Sequence, residues 1–165
     1  EWTHMQVGRD YVMDSALVQA QTMLDDICIL RACAWQNWIA VSNVDYCDGL
    51  LYIDLDKPGF EFTKRYYAFG NFSKYVPVGA RYCAVQTQDD AVKAAAFVKD
   101  ATTVVVAANL SDRECVFDCS QFAQSELRMI VTDADSDLRE TSVDVRNVTL
   151  AARSVVTLIA QGGSL

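Results

Sequence analysis

The chain has 165 residues, of which 52% are hydrophobic, and its formal net charge is -8. This length suits one domain or pieces of two, and the apolar content suffices for a hydrophobic core. The 14 lysines and arginines are scattered rather than gathered into a basic stripe, which argues against nucleic acid as a partner. The apolar runs are far shorter than the roughly 20 residues that cross a bilayer, so we expect a soluble protein without a membrane span.

The first element follows an abrupt start. Residues Glu1 to Gly8 contain no initiator Met, charged leader or apolar run, so nothing there resembles a signal peptide and we expect a piece of a longer protein. Apolar residues from Val12 to Cys28 then recur at three- and four-residue spacing, which predicts a helix of about five turns. Asp10 or Asp14 is suited to favour its start.

The segment Arg31 to Ala40 reads as a buried strand that follows this helix almost at once. Its small apolar residues are typical of strands covered on both faces. Trp35, Gln36, Asn37 and Trp38 load its second half with groups that bind sugars well, at the strand end where α/β folds place ligands. Helix, short turn and buried strand together indicate half of a parallel α/β unit.

The next stretch predicts a loop and a second helix. Ser42 to Gly59 is rich in Asn, Asp and Gly around one short apolar run, which indicates a long loop with a small strand. Phe62 to Phe72 then has the pattern of an amphipathic helix. We expect three cations to lie outside the apolar stripe of this helix, namely Lys64, Arg65 and Lys74. Pro77 and Gly79 end the helix.

From Arg81 onward, apolar stretches separated by polar turns predict seven or eight strands, which suggests a β-sandwich. Leu127, Met129 and Val131 alternate with more polar neighbours, as in half-buried strands. The predicted strands are Tyr82 to Gln86, Ala91 to Val98, Thr102 to Ala108, Glu114 to Cys119, Leu127 to Val131, Ser142 to Val148 and Val155 to Ala160. The seam near Val76 to Ala80 therefore divides an α/β part from an all-β part.

Two patterns suggest a metal or disulfides and are better explained otherwise. The six cysteines allow three disulfides, a metal site or inert core thiols, and the absence of any C-x-x-C pair favours inert thiols. Asp133, Asp135 and Asp137 imitate the start of an EF-hand loop, but Leu138 stands where that loop needs Gly and no Glu closes it. We predict a polar turn there, with no metal and no cofactor.

Three stretches carry a resemblance to a known family: AWQNW at 34–38, DYCDGLLY at 45–52 and KRYYAFGNFSKYVPVG at 64–79. They resemble the C-terminal part of family-30 glycoside hydrolases, especially the endo-β-1,6-galactanase-like branch. Val78 stands between Pro77 and Gly79, where the family usually has Pro-Gly directly. Because such enzymes fuse a TIM (β/α)8 barrel to a side β-sandwich, the resemblance implies an incomplete barrel end at 1–78 and a β-sandwich at 79–165.

The resemblance also implies site residues. Glu1-Trp2-Thr3-His4 fits the downstream half of the motif around the family's nucleophilic carboxylate, so Glu1 is the expected nucleophile. The acid/base Glu lies outside this chain, together with the missing N-terminal part of the barrel, so we expect this chain alone to be inactive. Trp38, Gln36, His4 and Trp2 are the expected contacts to a carbohydrate substrate.

The leading hypothesis is therefore a fragment of a retaining glycoside hydrolase acting on a β-linked polysaccharide or glycoside. The alternative is a noncatalytic carbohydrate-binding or interaction β-sandwich. The first 75 residues favour the enzyme, because a binding sandwich has no need of a half-barrel. The sequence leaves the compartment open between secreted, as family members often are, and cytoplasmic, as unpaired cysteines suggest.

Overall fold

The computed structural model describes residues 1–120 and 126–161. Two helices, α1 and α2, occupy Met13–Cys28 and Lys64–Ser73. The strands are β1 Val41–Ser42, β2 Leu51–Asp54, β3 Lys57–Phe62, β4 Arg81–Ala84, β5 Val92–Lys99, β6 Thr102–Asn109, β7 Cys115–Val116, β8 Glu126–Thr132, β9 Arg139–Asp144, β10 Thr149–Leu150 and β11 Ser154–Gln161. None of the helices in these ranges is long and apolar enough to cross a membrane.

Helix α1 forms as the apolar spacing predicts, except at its first residue. Ala16, Ala20 and Leu24 are buried on one face of the helix. Val12, expected in the apolar stripe, is instead the exposed residue preceding the helix. Asp10 accepts hydrogen bonds from the backbone N–H groups of Val12 and Ser15, which satisfies helix-start donors that have no partner inside the helix.

The predicted buried strand from Arg31 to Ala40 is wrong in both length and burial. Only Asn37 forms a ladder contact there, a single parallel bridge to Trp2, and residues alternate between half-buried and exposed. The segment is not covered on both faces, because one face packs on α1 while the described part of the chain leaves the other open. Its small apolar residues therefore indicated burial that this chain does not provide.

The predicted long loop from Ser42 to Gly59 contains more strand than expected. Strands β1, β2 and β3 form a three-stranded sheet, in which β1 pairs parallel to β2, and β2 and β3 pair antiparallel. Phe62, predicted to begin the second helix, ends β3. The helix starts only after Thr63, whose side chain accepts a hydrogen bond from the Tyr66 N–H. Every residue of β3 is exposed, so no alternation of buried and exposed residues marked it as a strand.

The GNFS sequence at 70–73 joins α2 to the large sheet. A Cβ at Gly70 would lie 2.9 Å from Leu138 Cδ1, so a residue without a side chain allows this close approach. Asn71 is fully buried, and its side-chain amide donates to the Ile130 carbonyl at 3.2 Å and accepts from the Thr132 hydroxyl at 2.7 Å. These contacts give the most specific part of the sequence resemblance a structural reason.

The large sheet has six strands in the order β4-β5-β6-β11-β8-β9, and all its pairings are antiparallel. Both faces of its central strands are buried. One hydrophobic cluster joins the sheet to α1 and α2, and the other lies beneath β7, β10 and the loops around them. Ile130 and Thr132 are buried as well as their alternating neighbours, because α2 covers the face that the sequence pattern assigned to solvent.

Two of the predicted strands in this region are wrong. Glu114 to Cys119 contains only the two-residue β7, and Ser142 to Val148 ends β9 and continues as a 3-10 turn at Val145–Asn147. The fold is α/β followed by antiparallel β-sheet, with a second layer opposite the helices that includes the two-stranded sheet β7–β10. The domain boundary between residues 78 and 79 stays a prediction, and the helix-side cluster contains residues from both parts.

Candidate functional site

Two extended segments lie side by side at the candidate site. The Trp2 N–H donates to the Gln36 carbonyl at 2.9 Å, and the Trp38 N–H donates to the Trp2 carbonyl at 2.8 Å. These two bonds form a parallel pairing of the segment after Glu1 with the segment that contains Trp38. The expected nucleophile Glu1 and the expected sugar platform Trp38 therefore belong to adjacent segments, although 36 residues of chain, including the whole of α1, separate them in the sequence.

Alternation along the second segment sends its two tryptophans to opposite faces, as predicted. The Trp35 ring packs against the rings of Trp2 and Phe69, with centroids 5.6 and 5.9 Å away. Trp38 is 53% exposed, and Gln36, which lies on the same face by alternation, is exposed too. The Trp38–Ile39 peptide bond is cis. The structure thus leaves Trp38 more exposed than Trp35, which is half-buried.

Helix α1 holds this segment by two side-chain hydrogen bonds. Gln19, fully buried, donates to Asn37 Oδ1 at 2.9 Å, and the Trp35 indole N–H donates to Asp26 Oδ2 at 2.8 Å. The amide of Asn37 also donates to the carbonyls of Ile39 and Asp48, both at 3.3 Å. Because Asn37 precedes Trp38 directly, these bonds fix the backbone that carries the exposed indole.

The other expected site residues lie close by along the first segment. Glu1 is exposed, and the Trp2 ring is half-buried against Trp35. The His4 ring stacks on Trp2 with a centroid distance of 6.0 Å, and its Nε2 is within 2.8 Å of Gln6 Oε1. The roles of Glu1, Trp2, His4, Gln36 and Trp38 stay predictions.

The loops that leave the two segments are joined to each other. The Cys47 N–H donates to the Gln6 carbonyl at 2.8 Å, and the Gly8 N–H donates to the Asp45 carbonyl at 3.1 Å. Arg9 adds bonds from its guanidinium to the Val44 carbonyl at 3.2 Å and to Asp54 at 3.1 Å. These bonds join the loops that follow the two segments into one hydrogen-bonded surface.

Arg65 of α2 lies beneath this surface. The prediction that it lies on the outer side of the helix, away from the apolar stripe, is wrong. Arg65 is fully buried, and its guanidinium donates to Ser15 Oγ, the Gly49 carbonyl and Tyr52 Oη, at 2.6, 2.5 and 3.0 Å. Cys47 Sγ lies 2.7 Å from the same guanidinium. A charge removed from water needs such partners, and all of these come from distant parts of the sequence. Its place in the KRYY run gave no signal of this.

Asp10 provides negative charge near this buried cation. Burial by itself would raise the pKa of the Asp10 carboxyl, but hydrogen bonds from Ser15 and from backbone N–H groups, together with nearby Arg65, hold the pKa below its ordinary value. The carboxylate is therefore the favoured form at neutral pH. It links the start of α1 to the loop network under the candidate site.

The prediction of inert core thiols holds for buried Cys47, Cys115 and Cys119 and is wrong for exposed Cys33. All six cysteines are free, and burial, with Asp118 nearby, raises the pKa of the Cys119 thiol to about 12. The Asp133 N–H donates to the Ser136 carbonyl at 3.1 Å, and Asp137 pairs with Lys64 at 2.7 Å, which makes the acidic run a hydrogen-bonded turn. Within residues 1–120 and 126–161 no group of three acidic, His or Cys side chains could hold a metal.

Comparison with known proteins gives a fold. No family model matches the chain, and no curated protein matches it. Among solved structures, a conserved exported protein from Bacteroides fragilis is 22% identical with a TM-score of 0.81, over 90% of this chain and 34% of that one. The catalytic domain of GH30 xylanase C from Talaromyces cellulolyticus is 18% identical with a TM-score of 0.78, over 96% and 39%. A family-30 subfamily 8 xylanase from Clostridium acetobutylicum is 22% identical with a TM-score of 0.75, over 96% and 41%.

These matches define the class of fold to which the chain corresponds. The resemblance inferred from the sequence is confirmed at the level of fold, since nearly the whole chain superimposes on part of family-30 glycoside hydrolases. The chain spans well under half the length of these structures. Their identities, 22% or less, show the fold and not the activity.

Proposed function

We propose that this chain forms the C-terminal end of a retaining glycoside hydrolase that acts on a β-linked polysaccharide or glycoside. The proposed substrate is a β-1,6-galactan, a β-glucan or a xylan. The observation that carries the proposal is the parallel pairing of Trp2 with the Gln36 to Trp38 segment, because it joins the segment that begins with Glu1 to the segment that carries the exposed Trp38 indole. The similarity of fold to GH30 xylanases supports the same class of reaction.

In the proposed mechanism Glu1 attacks the anomeric carbon and forms a glycosyl-enzyme intermediate. Retaining enzymes place a second carboxyl group about 5 to 5.5 Å away, which protonates the leaving oxygen and then activates water. We propose that this acid/base residue belongs to a part of the protein outside this sequence, in keeping with the share of the neighbours' length that the chain covers. The chain by itself should then be inactive.

The other site residues would bind the sugar. Stacking a pyranose on Trp38 covers its C–H surface, and Gln36 and His4 are suited to bond hydroxyl groups. Trp2, half-buried against Trp35, stays a proposed substrate contact. The support for Trp38 is its exposure on a backbone that Asn37 and α1 hold in place.

The alternative is a noncatalytic carbohydrate-binding or interaction module at residues 79–165. An independent module would be expected to have a core of its own. Instead, one hydrophobic cluster contains Leu24 of α1, Phe72 of α2 and Val106 of the sheet. This shared core favours the hydrolase, in which the helices and the sheet are built together.

The test is Glu1→Gln in the enzyme that contains this chain, with Glu114→Gln as the control. Both variants replace one exposed carboxylate by an amide, but only Glu1 lies at the candidate site. We expect Glu1→Gln to remove nearly all hydrolysis of aryl β-glycosides at an unchanged melting temperature, and Glu114→Gln to retain it. Turnover of Glu1→Gln within tenfold of the parent enzyme would overturn the assignment of the nucleophile.

A further inference from the structure

A depression of about 440 Å³ lies at one end of the six-stranded sheet, where the chain leaves α2. Buried Val104 and Ile159 form part of its wall. Its rim carries polar groups from four separate parts of the chain. The lining residues with polar side chains are Lys74, Tyr75, Lys99, Asp100, Thr102, Arg128 and Gln161. None of these residues belongs to the candidate site described above.

Three cations converge on this depression although the chain as a whole is acidic. Lys74, Lys99 and Arg128 line it, in a protein with a formal net charge of -8. In the described part of the chain, Lys74 and Lys99 have no carboxylate within ion-pair distance. Like charges repel one another, so this grouping raises the energy of the protein without a ligand and lowers the cost of binding an anion.

Local contacts already hold all three cations. The Lys99 ammonium donates to the Val78 carbonyl at 2.7 Å, and the Lys74 ammonium lies 5.2 Å from the centre of the Tyr75 ring. The Arg128 guanidinium donates two hydrogen bonds to the Glu140 carboxylate, from Nε to Oε1 at 2.8 Å and from Nη2 to Oε2 at 3.1 Å. Binding a ligand here would therefore cost less side-chain entropy than ordering free surface lysines would cost.

Two of the cations also act on one nearby carboxylate, Glu140. A hydrogen bond from Arg128, and the charges of Arg128 and Lys74, keep the pKa of Glu140 below its ordinary value. Among residues 1–120 and 126–161, Asp100 is the one carboxylate in the lining. Counting Glu140, three cations face two carboxylates, so the local charge stays positive by one.

This composition distinguishes between classes of anion. A polyphosphate or nucleic acid would gain from the cations but would be repelled by Asp100 and by the acidic protein around it. A saccharide that carries one acidic group uses both signs of charge, because Asp100, Thr102 and Gln161 are acceptors for its hydroxyl groups. Tyr75 offers an aromatic edge, and the volume lies within the range of about 300 to 1,000 Å³ typical of small-ligand sites.

We propose that this depression is a binding site for an acidic saccharide, whose carboxylate or sulfate group is held by Lys74, Lys99 and Arg128. It would be a second carbohydrate contact, on the β-sheet part of the molecule. The proposal goes beyond hydrolysis at Glu1 and does not depend on it. Such a site would hold an acidic polysaccharide on the protein between rounds of catalysis. It would also hold the polysaccharide when no catalysis takes place.

The experiment is titration of the protein with three trisaccharide-sized probes, followed by calorimetry and by amide chemical shifts. The probes are trigalacturonate, a sulfated galactose oligosaccharide and neutral galactotriose, with inorganic sulfate as a fourth. We expect binding of at least one acidic saccharide, weakened by salt, with shifts centred on Lys74, Lys99 and Arg128. In Lys74→Gln/Lys99→Gln the affinity should fall at least tenfold.

The matched control is Lys57→Gln/Arg81→Gln, which removes two exposed cations outside this depression. It should leave affinity within twofold, and melting curves of both double variants check that each is folded. Binding of only one acidic probe assigns the anionic group as carboxylate or sulfate. The proposal would be overturned by galactotriose binding as tightly as the acidic saccharides with shifts at Lys74, Lys99 and Arg128, or by inorganic sulfate binding as tightly as the saccharides. Equal loss in the control, or no binding of either acidic probe, would also overturn it. Glu1→Gln should bind unchanged, which separates this result from the fate of the proposed hydrolase.

Discussion

Replacing Asn71 by Ala should destabilise the protein far more than an ordinary polar substitution. The side chain is fully buried and forms three hydrogen bonds, with the Ile130 carbonyl, the Thr157 hydroxyl and the Thr132 hydroxyl, at 3.2, 3.0 and 2.7 Å. The Ile130 carbonyl lies in the ladder of β8 with β11 and β9, and the Thr157 hydroxyl keeps its bond to the Asn71 carbonyl, so the substitution leaves chiefly the Thr132 hydroxyl without a partner. Each buried polar group left without a partner costs about 1 to 3 kcal/mol.

The unpartnered Thr132 hydroxyl at about 1 to 3 kcal/mol, with two further lost hydrogen bonds at about 0.5 to 1.5 kcal/mol each, predicts a loss of roughly 2 to 6 kcal/mol of unfolding free energy. At about 2 to 4 °C per kcal/mol for a chain of this size, the melting temperature should fall by roughly 5 °C or more. Urea unfolding followed by circular dichroism measures the loss, with an unchanged slope as the sign that only stability has altered. Asn43→Ala is the control, because Asn43 is exposed, and it should change the free energy by less than about 0.5 kcal/mol. A loss below 1 kcal/mol for Asn71→Ala would refute the view that this amide joins α2 to the sheet.

The remaining predictions concern the site face, acid stability and the thiols. In the complete enzyme, Trp38→Ala should weaken substrate binding by about 1 to 3 kcal/mol at an unchanged melting temperature. Trp35→Ala should instead lower the melting temperature. Reversed effects of the two substitutions would mean that Trp38 is a core residue. Because the pKa of Asp10 is depressed in the folded state, its stabilising contribution is present above its ordinary pKa of about 4 and is lost as the pH falls below it. Urea unfolding from pH 7 to pH 3 should therefore show a smaller decline in Asp10→Asn than in the parent, and an identical decline would contradict the assignment. Iodoacetamide at pH 8 should modify exposed Cys33 within minutes and leave Cys119 unmodified, and rapid labelling of Cys119 in the folded protein would contradict its burial.

Local sequence was a good guide wherever one face of an element is buried by its own neighbours. The apolar spacing predicted α1 because a single stripe, containing Ala16, Ala20 and Leu24, packs on the sheet. The long apolar runs at Val104 and Val156 predicted β6 and β11, since central strands buried on both faces need little else.

The failures arise where burial depends on distant segments. Arg65 looks like a surface cation in its own stretch, and only the approach of Ser15, Gly49 and Tyr52 makes it a buried one. Strand β3 has no buried face, so no periodicity could mark it. The strand predicted around Trp35 shows the reverse error, because small apolar residues imply burial only when other elements are present to cover them.

The candidate site was predictable in part because of its motifs. The Glu-Trp-Thr-His start and the Trp-Gln-Asn-Trp run suggested two neighbouring segments, and the hydrogen bonds of Trp2 join those segments. The support beneath them was not predictable. Gln19 occupies an ordinary helical position, and its contact with Asn37 depends on how α1 packs against the second segment.

The most direct test of the central claim is to trap the glycosyl-enzyme intermediate in the complete enzyme. Retaining hydrolases form a covalent bond between the nucleophile and the anomeric carbon, and 2-deoxy-2-fluoro glycosyl fluorides slow its hydrolysis enough for mass spectrometry. With galactosyl, glucosyl and xylosyl reagents of β configuration, the account predicts one added sugar on the peptide that contains Glu1. A label on any other carboxylate, with Glu1 unmodified, would contradict it.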